Sequence, residues 1–264
     1  MGATDRVPES PDRPTGVLAE ANPGRTLHAS LDSRVYARHP VRTHLVTASD
    51  AAVDVVSRYA TPIEPSVALV AVSERMVAIT QGRSYRITEI RPGRLARVLV
   101  RFVTKPGYGI GLGIPQTMQL AIDEVGAPRI LLAAAISGLS KPFGVHGLFY
   151  RIAGRQAAAI DGPTGYTIPP YNEAATLGPR DPDGVAARLS TALGVPVAII
   201  DANDAGCAVL GASPGLDRRW VERLFADNPL GQAAEQTPIA LVRAVNWPAG
   251  QPLPPEPRRR ITPP

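Results

Sequence analysis

Cysteine is nearly absent from this chain. The single Cys207 rules out an intrachain disulfide and any cysteine-built zinc cage. No histidine stands beside it in sequence, so it reads as a small apolar residue rather than a reactive thiol. Aromatic residues are scarce too, at 5%. No Lys/Arg cluster interleaves with them, so a nucleic-acid stripe is not indicated. The longest apolar run, Ile130 to Ile136, is far too short to span a bilayer. The first residues lack the charged-then-apolar pattern of a signal peptide. These absences lead to the expectation of a soluble cytoplasmic protein with neither nucleic acid nor membrane as partner.

What is present suits a globular enzyme or binding protein. A chain of 264 residues, 44% hydrophobic and 19% charged, can bury a sizeable core as one large domain or two small ones. The net charge is +5, and the basic residues are nearly all Arg. Arginine favours bidentate contacts to phosphate and carboxylate, so a small polyanion such as a nucleotide fits the surplus. Residues 1–23 carry Pro, Asp, Arg and Gly with little apolar pattern, which predicts a disordered leader. Residues 247–264 hold seven prolines and Arg258-Arg259-Arg260, which predicts a solvated tail. The domain is then expected over 24–246.

Along that domain the pattern alternates. Ser49 or Asp50 is a candidate N-cap for a helix running to about Tyr59. Ser66 to Val72 is a continuous apolar strand. A polar break, Ser73-Glu74-Arg75, follows it, then Met76 to Thr80 and Gln81-Gly82-Arg83, together like a ligand-lining loop or an ordinary turn. Helical spacing predicts helices over Arg91–Phe102 and Ile114–Val125, with Pro115 in the first turn of the second. Arg129 to Leu139 predicts a buried helix. Lys105 to Gly113 is the most glycine-dense stretch: a phosphate cradle or a loop that closes over a ligand. Lys141 to Gly147 is a second Gly/Pro loop, containing His146. Phe149 to Ile160 reads as strand–turn–strand delivering Asp161. Asp181-Pro182-Asp183 caps a helix that Gly194 closes. A helix through Leu216, Trp220, Leu224 and Phe225 precedes a last strand, Pro238 to Val242. Helices alternating with strands predict mixed α/β layers, an α+β fold with a mixed sheet flanked by helices.

The stretch Val197 to Gly206 carries the most chemistry. Its apolar run reads as a buried strand that ends in Asp201, Asn203 and Asp204. Ligands gather at the carboxyl ends of strands in open sheets. Carboxylate and amide oxygens suit hard cations, so a divalent-metal site holding phosphates is one reading and a polar turn the other. Asp161 is a second strand-end carboxylate, as a binuclear site needs. Gln232 and Glu235 add oxygens in the loop before the last strand.

In order and spacing these pieces resemble the coenzyme F420-0:L-glutamate ligase (γ-glutamyl ligase) family over roughly Val41 to Arg243. The residues that carry the likeness are Ser73 to Arg83, Ala159-Ile160-Asp161, Leu177-Gly178-Pro179-Arg180-Asp181-Pro182-Asp183, Ile199 to Gly206, Leu230-Gly231-Gln232 and Thr237 to Arg243. The resemblance implies a γ-glutamyl ligase-like fold and a ligase using GTP, Mg²⁺ or Mn²⁺, and L-glutamate. The acceptor is coenzyme F420-0 or another carboxylate, and the assembly a homodimer. It implies Asp161 and Asp204 as catalytic residues. It gives Asp161, Asp201, Asn203, Asp204 and Gln232 as metal ligands, and Arg75, Arg83, Gly231, Gln232 and Arg243 as nucleotide contacts. Three departures stand out. Ile79 replaces the family's phosphate-binding lysine, the segment from Gly206 to Leu230 is shorter, and the loop from Asp161 to Asp181 is longer.

Overall fold

Three central strands set the position of everything else. In the computed structural model, which describes residues 15–61, 63–101, 103, 110–140 and 148–260, β4 (Val67–Ser73), β7 (Val197–Asn203) and β9 (Ile239–Val245) form the middle of a mixed sheet. The strand order is β1 (Gly16–Val17), β3 (Arg34–Arg42), β9, β4, β7 and β8 (Gly206–Ala212), with β2 (His28–Leu31) also paired to β3. Among the named strands, β4 and β7 pair in parallel and the other pairs are antiparallel. The expected mixed sheet flanked by helices is therefore present.

Period-two alternation assigns the two faces. Val70, Val72, Val197, Ile199, Ile239 and Leu241 point to a core shared with α1 (Ala52–Ala60), α2 (Glu74–Thr80) and α8 (Pro182–Leu193). Their neighbours Leu69, Ala71, Ala198, Ile200, Ala240 and Val242 point the other way, toward α9 (Arg218–Leu224). A third core belongs to α3 (Arg94–Leu99), α4 (Pro115–Val125), α5 (Ala127–Ser140), α6 (Leu148–Ala153) and α7 (Arg155–Ala158). The small ribbon of β5 (Ser84–Arg86) and β6 (Ala174–Thr176) joins it to the sheet. Among the described residues no helix is long and apolar enough to cross a membrane.

Several expectations hold at the level of single residues. Pro115 opens α4. Asp181 caps α8, accepting from Gly184 N at 3.1 Å, and Gly194 closes it at φ 73°. Others are corrected. Phe149 to Ile160 is helical, not strand–turn–strand. Phe149, Ala153 and Ala157 recur every fourth residue and are buried together, and Gly154 at φ 94° breaks the run into α6 and α7. Ser73 to Thr80 is a strand end and a helix rather than a loop. Asp50 does not cap α1; its carboxylate accepts from Thr47 N at 2.7 Å. The helix α5 is not buried, since Leu132 is 55% and Leu139 74% exposed. Most of the glycine-dense stretch, and all of Lys141 to Gly147, lie outside the described residues.

The described parts of the expected leader and tail, residues 15–23 and 247–260, make contacts with the domain. Gly16–Val17 pairs with β3, and the buried Asn22 donates to Leu230 O and Thr237 Oγ1, each at 2.8 Å. The tail folds back over β2 and the β7–β8 turn. Ser30 N donates to Pro255 O at 3.3 Å, and Arg260 N donates to Asp204 O at 3.0 Å.

Candidate active site

The parallel pair β4–β7 brings two acids side by side. Ser73 and Ile200 are in register, so Glu74 and Asp201 follow at the same level. Beside them β9 begins, because it runs antiparallel to β4 with Val72 opposite Ile239. Three strand ends thus open into one cleft of about 530 Å³, within the usual range for ligand pockets. Its polar floor is Glu74, Arg75, Asp161, Asp201, Asn203 and Gln232. The helical unit supplies an apolar wall through Ile110, Tyr150 and Ile160.

The floor is rich in acceptors and poor in donors. Glu74 Oε2 is buried with no hydrogen-bond partner. Burial pushes the Glu74 carboxyl well above the usual range, and the charges of Asp201 and Asp161 add to that. Burial likewise raises Asp201, with Asp161 adding, although Asn203 Nδ2 donates to its carboxylate at 3.3 Å. Asp161 is held by a bridge to Thr176 rather than by a strand of its own. Its carboxylate pairs with Arg75 at 2.6 Å, and Arg75 also donates to Thr167 Oγ1 at 3.2 Å. One rim is a tied loop. Gln232 Oε1 accepts from Asp204 N at 2.9 Å, and Glu235 Oε2 accepts from Ala233 N at 2.7 Å. Gly231 sits at φ 87°, a conformation that favours glycine, and a Cβ there would push the Glu235 carboxylate, 2.5 Å away, out of its place.

Of the residues singled out in the sequence, Arg75, Asp161, Asp201, Asn203, Gly231 and Gln232 line the cleft. Three do not. Asp204 turns away to pair with Arg25 at 2.5 Å, because β7 extends through Asn203 and places Asp204 in the hairpin turn. Arg83 is buried, paired with Glu124 and donating to Gly178 O, each at 2.7 Å. Arg243 lies within β9 and pairs with Glu64 at 3.2 Å. The loop of Asp201 to Asp204 is therefore strand for its first three residues.

Glu74 is the residue the sequence reading passed over. Its signal was available: an acid directly after an apolar strand, the pattern that marked Asp201. Burial, and then the nearby Asp201 and Glu222, push the Cys207 thiol above the usual range, which disfavours the thiolate a nucleophile needs.

Among the described residues no group of three or more His, Cys, Asp or Glu stands close enough to hold a metal ion. Mg²⁺, by contrast, is usually bound by one or two carboxylates, waters and substrate phosphates. The unpartnered Glu74 oxygen beside Asp201 supplies that arrangement. Comparison with models of known families gives no match, and comparison with curated proteins finds no relative.

Proposed function

We propose that the cleft binds a nucleoside triphosphate through a divalent cation and that the protein is a GTP- and Mg²⁺- or Mn²⁺-dependent ligase of γ-glutamyl ligase-like fold. It would join L-glutamate to coenzyme F420-0 or to another carboxylate acceptor. The observation that supports this most is the orphaned Glu74 oxygen at the junction of β4 and β7, with Asp201 beside it. A buried carboxylate without a partner is costly, and a cation shared with ligand phosphates removes that cost.

In this reading Glu74 and Asp201 hold the cation, with Asn203 and Asp161 at its edge. The cation supplies charge neutralisation on the transferred phosphoryl group. Arg75 is the guanidinium placed to meet a phosphate or the incoming amino acid's carboxylate, and Asp161 and Thr167 aim it. The γ-phosphoryl group passes to the acceptor carboxylate, GDP leaves, and the amine of glutamate displaces phosphate to form the amide. No side-chain nucleophile is needed. The apolar wall of Ile110, Tyr150 and Ile160 would take the acceptor's ring system.

A second reading is a binding protein of this fold without turnover. The buried Ile79, at the position of the family lysine, and the engagement of Arg83 and Arg243 elsewhere favour it. Phosphate release from GTP, measured with Mg²⁺ or Mn²⁺, L-glutamate and F420-0, separates the two. Acceptor-dependent release, a product heavier by one glutamate, and loss of both in Glu74→Gln and Asp161→Asn are expected for the ligase. Tight GTP binding without release, with this acceptor or others, establishes the binding protein.

A further inference from the structure

Positive charge is not spread evenly over the chain. Between residues 84 and 160 there are ten Lys and Arg against three Asp and Glu, which exceeds the whole chain's net charge of +5. One of those acids, Glu124, is already spent on Arg83. Arg91, Arg94, Arg97 and Arg101 are exposed around α3, and none of their guanidinium groups has a hydrogen bond or ion pair among the described residues. Spacings of three and four residues place several of them on one side of the helix, where like charges repel. Val98 lies in that row, 49% exposed.

The same unit carries a second unusual surface. Leu131, Leu132, Ile136 and Leu139 of α5 are 46%, 55%, 37% and 74% exposed. Together with Val98 they are five of the eight exposed large hydrophobic residues among the described residues. The one charged residue in α5 is Arg129, whose side chain donates to Ile152 O at 2.9 Å. Arg129 is exposed in the first turn, and the exposed side beyond it, from Leu131 to Leu139, carries no charge. Both α3 and α5 pack on α4, so both surfaces belong to one packed unit.

We propose that this helical unit docks on an anionic lipid bilayer, with the α3 arginines on headgroup phosphates and the α5 leucines in the interface. The two surfaces ask for different chemistry from one partner: phosphate charge and an apolar medium next to it. A bilayer of anionic lipid offers both. A nucleic acid would satisfy the arginines and leave the leucines in water, and among the described residues α3 and α5 carry no aromatic ring on which a base could stack. Among the described residues no helix is long and apolar enough to cross a bilayer, and peripheral docking needs none. The proposal departs from the expectation of no membrane partner.

The test is sedimentation of the full chain with vesicles of phosphatidylcholine alone and of phosphatidylcholine with phosphatidylglycerol. Binding to the anionic vesicles is expected, about tenfold or more tighter than to the neutral ones, and weakened by salt. Arg94→Glu with Arg97→Glu should remove that preference. Leu132→Ser with Leu139→Ser should weaken binding while circular dichroism stays unchanged, both positions being exposed. No binding to anionic vesicles overturns the proposal, as does binding that either pair of substitutions leaves intact. If light scattering shows a dimer that the leucine pair converts to monomer, and vesicles are not bound, α5 is an interface between copies. Tighter binding to a soluble polyanion such as duplex DNA than to vesicles also overturns it.

Discussion

Glu74 carries an energetic signature that can be read without any ligand. Its folded carboxyl keeps its proton above the ordinary value of 4.5 because burial, and then Asp201 and Asp161, disfavour the charge. The folded state therefore binds more protons than the unfolded state above that pH, and stability falls as pH rises through the interval. Glu74→Gln removes the charge and keeps the shape. Its Tm should match wild type at pH 4, exceed it at pH 7 to 8, and lose any upward shift given by Mg²⁺; a pH-independent difference would contradict the assignment. Arg38 is the opposite case, a buried charge held by a carboxylate, with only its Nε left without a partner. Its guanidinium grips both oxygens of Asp227, at 2.5 and 3.0 Å, and also donates to Leu224 O and Thr26 O. Arg38→Ala leaves Asp227 without its partner and should cost about 3–5 kcal/mol in urea denaturation. Arg223→Ala, which breaks exposed, solvent-screened pairs to Asp32 and Glu256, should leave the urea midpoint essentially unchanged.

At the scale of elements, the tail braces the cleft from outside. Trp247 packs against His28 at 5.3 Å, Glu256 pairs with Arg223, and Arg260 N holds Asp204 O in the turn whose Asp204 N donates to Gln232. A chain ending at 246 should therefore show faster amide exchange at 201–206 and 230–237 than the full chain, with the β4 and β9 amides unchanged. Equal exchange would mean the tail merely rests on the surface. Neither this bracing nor the pinning of the rim by Asn22 was legible in the sequence, because both rest on partners far away in the chain, 33 residues for Glu256 and Arg223 and 208 for Asn22 and Leu230. Proline-rich composition describes the chain's local freedom and is silent on such contacts. What the sequence did carry were the elements with strong local signals: the apolar strands β4, β7 and β9, the Pro115 start of α4, and the Asp181 and Gly194 caps of α8. The α6–α7 segment misled because short apolar runs fit a strand or a helix equally well, and packing decided. In the cleft, the strand-end pattern places Asp201 on β7, whereas Asp161 lines the same cleft with no strand before it. Arg83, Arg243 and Asp204 stand outside the cleft, since ion-pair partners such as Glu124, Glu64 and Arg25 leave no mark at those positions.

For the whole molecule, the cleft is a seam between two bodies. The sheet ends supply its floor, the helical unit supplies a wall, and each side has its own apolar core. Arg83 is the principal polar bolt across that seam. It stands just past α2, grips Glu124 of α4, and donates to Gly178 O ahead of α8. The pair is only 5% and 11% exposed, so each charge depends on the other. Removing one partner strands the second and costs about 3–5 kcal/mol, whereas replacing both by apolar groups of similar volume is far less costly. Glu124→Ala should therefore separate unfolding of the helical unit from that of the sheet. Near-ultraviolet dichroism, dominated by aromatic residues in both bodies, would then lose its coincidence with far-ultraviolet dichroism in a denaturant titration. Stabilisation by GTP with Mg²⁺ should fall in the same variant, because a wall that moves independently no longer closes on a ligand held by the floor. Arg83→Met with Glu124→Leu should restore coincident unfolding and most of the stability. A single coincident transition in Glu124→Ala would show instead that β5, β6 and the apolar contacts beneath them hold the two bodies together without the ion pair.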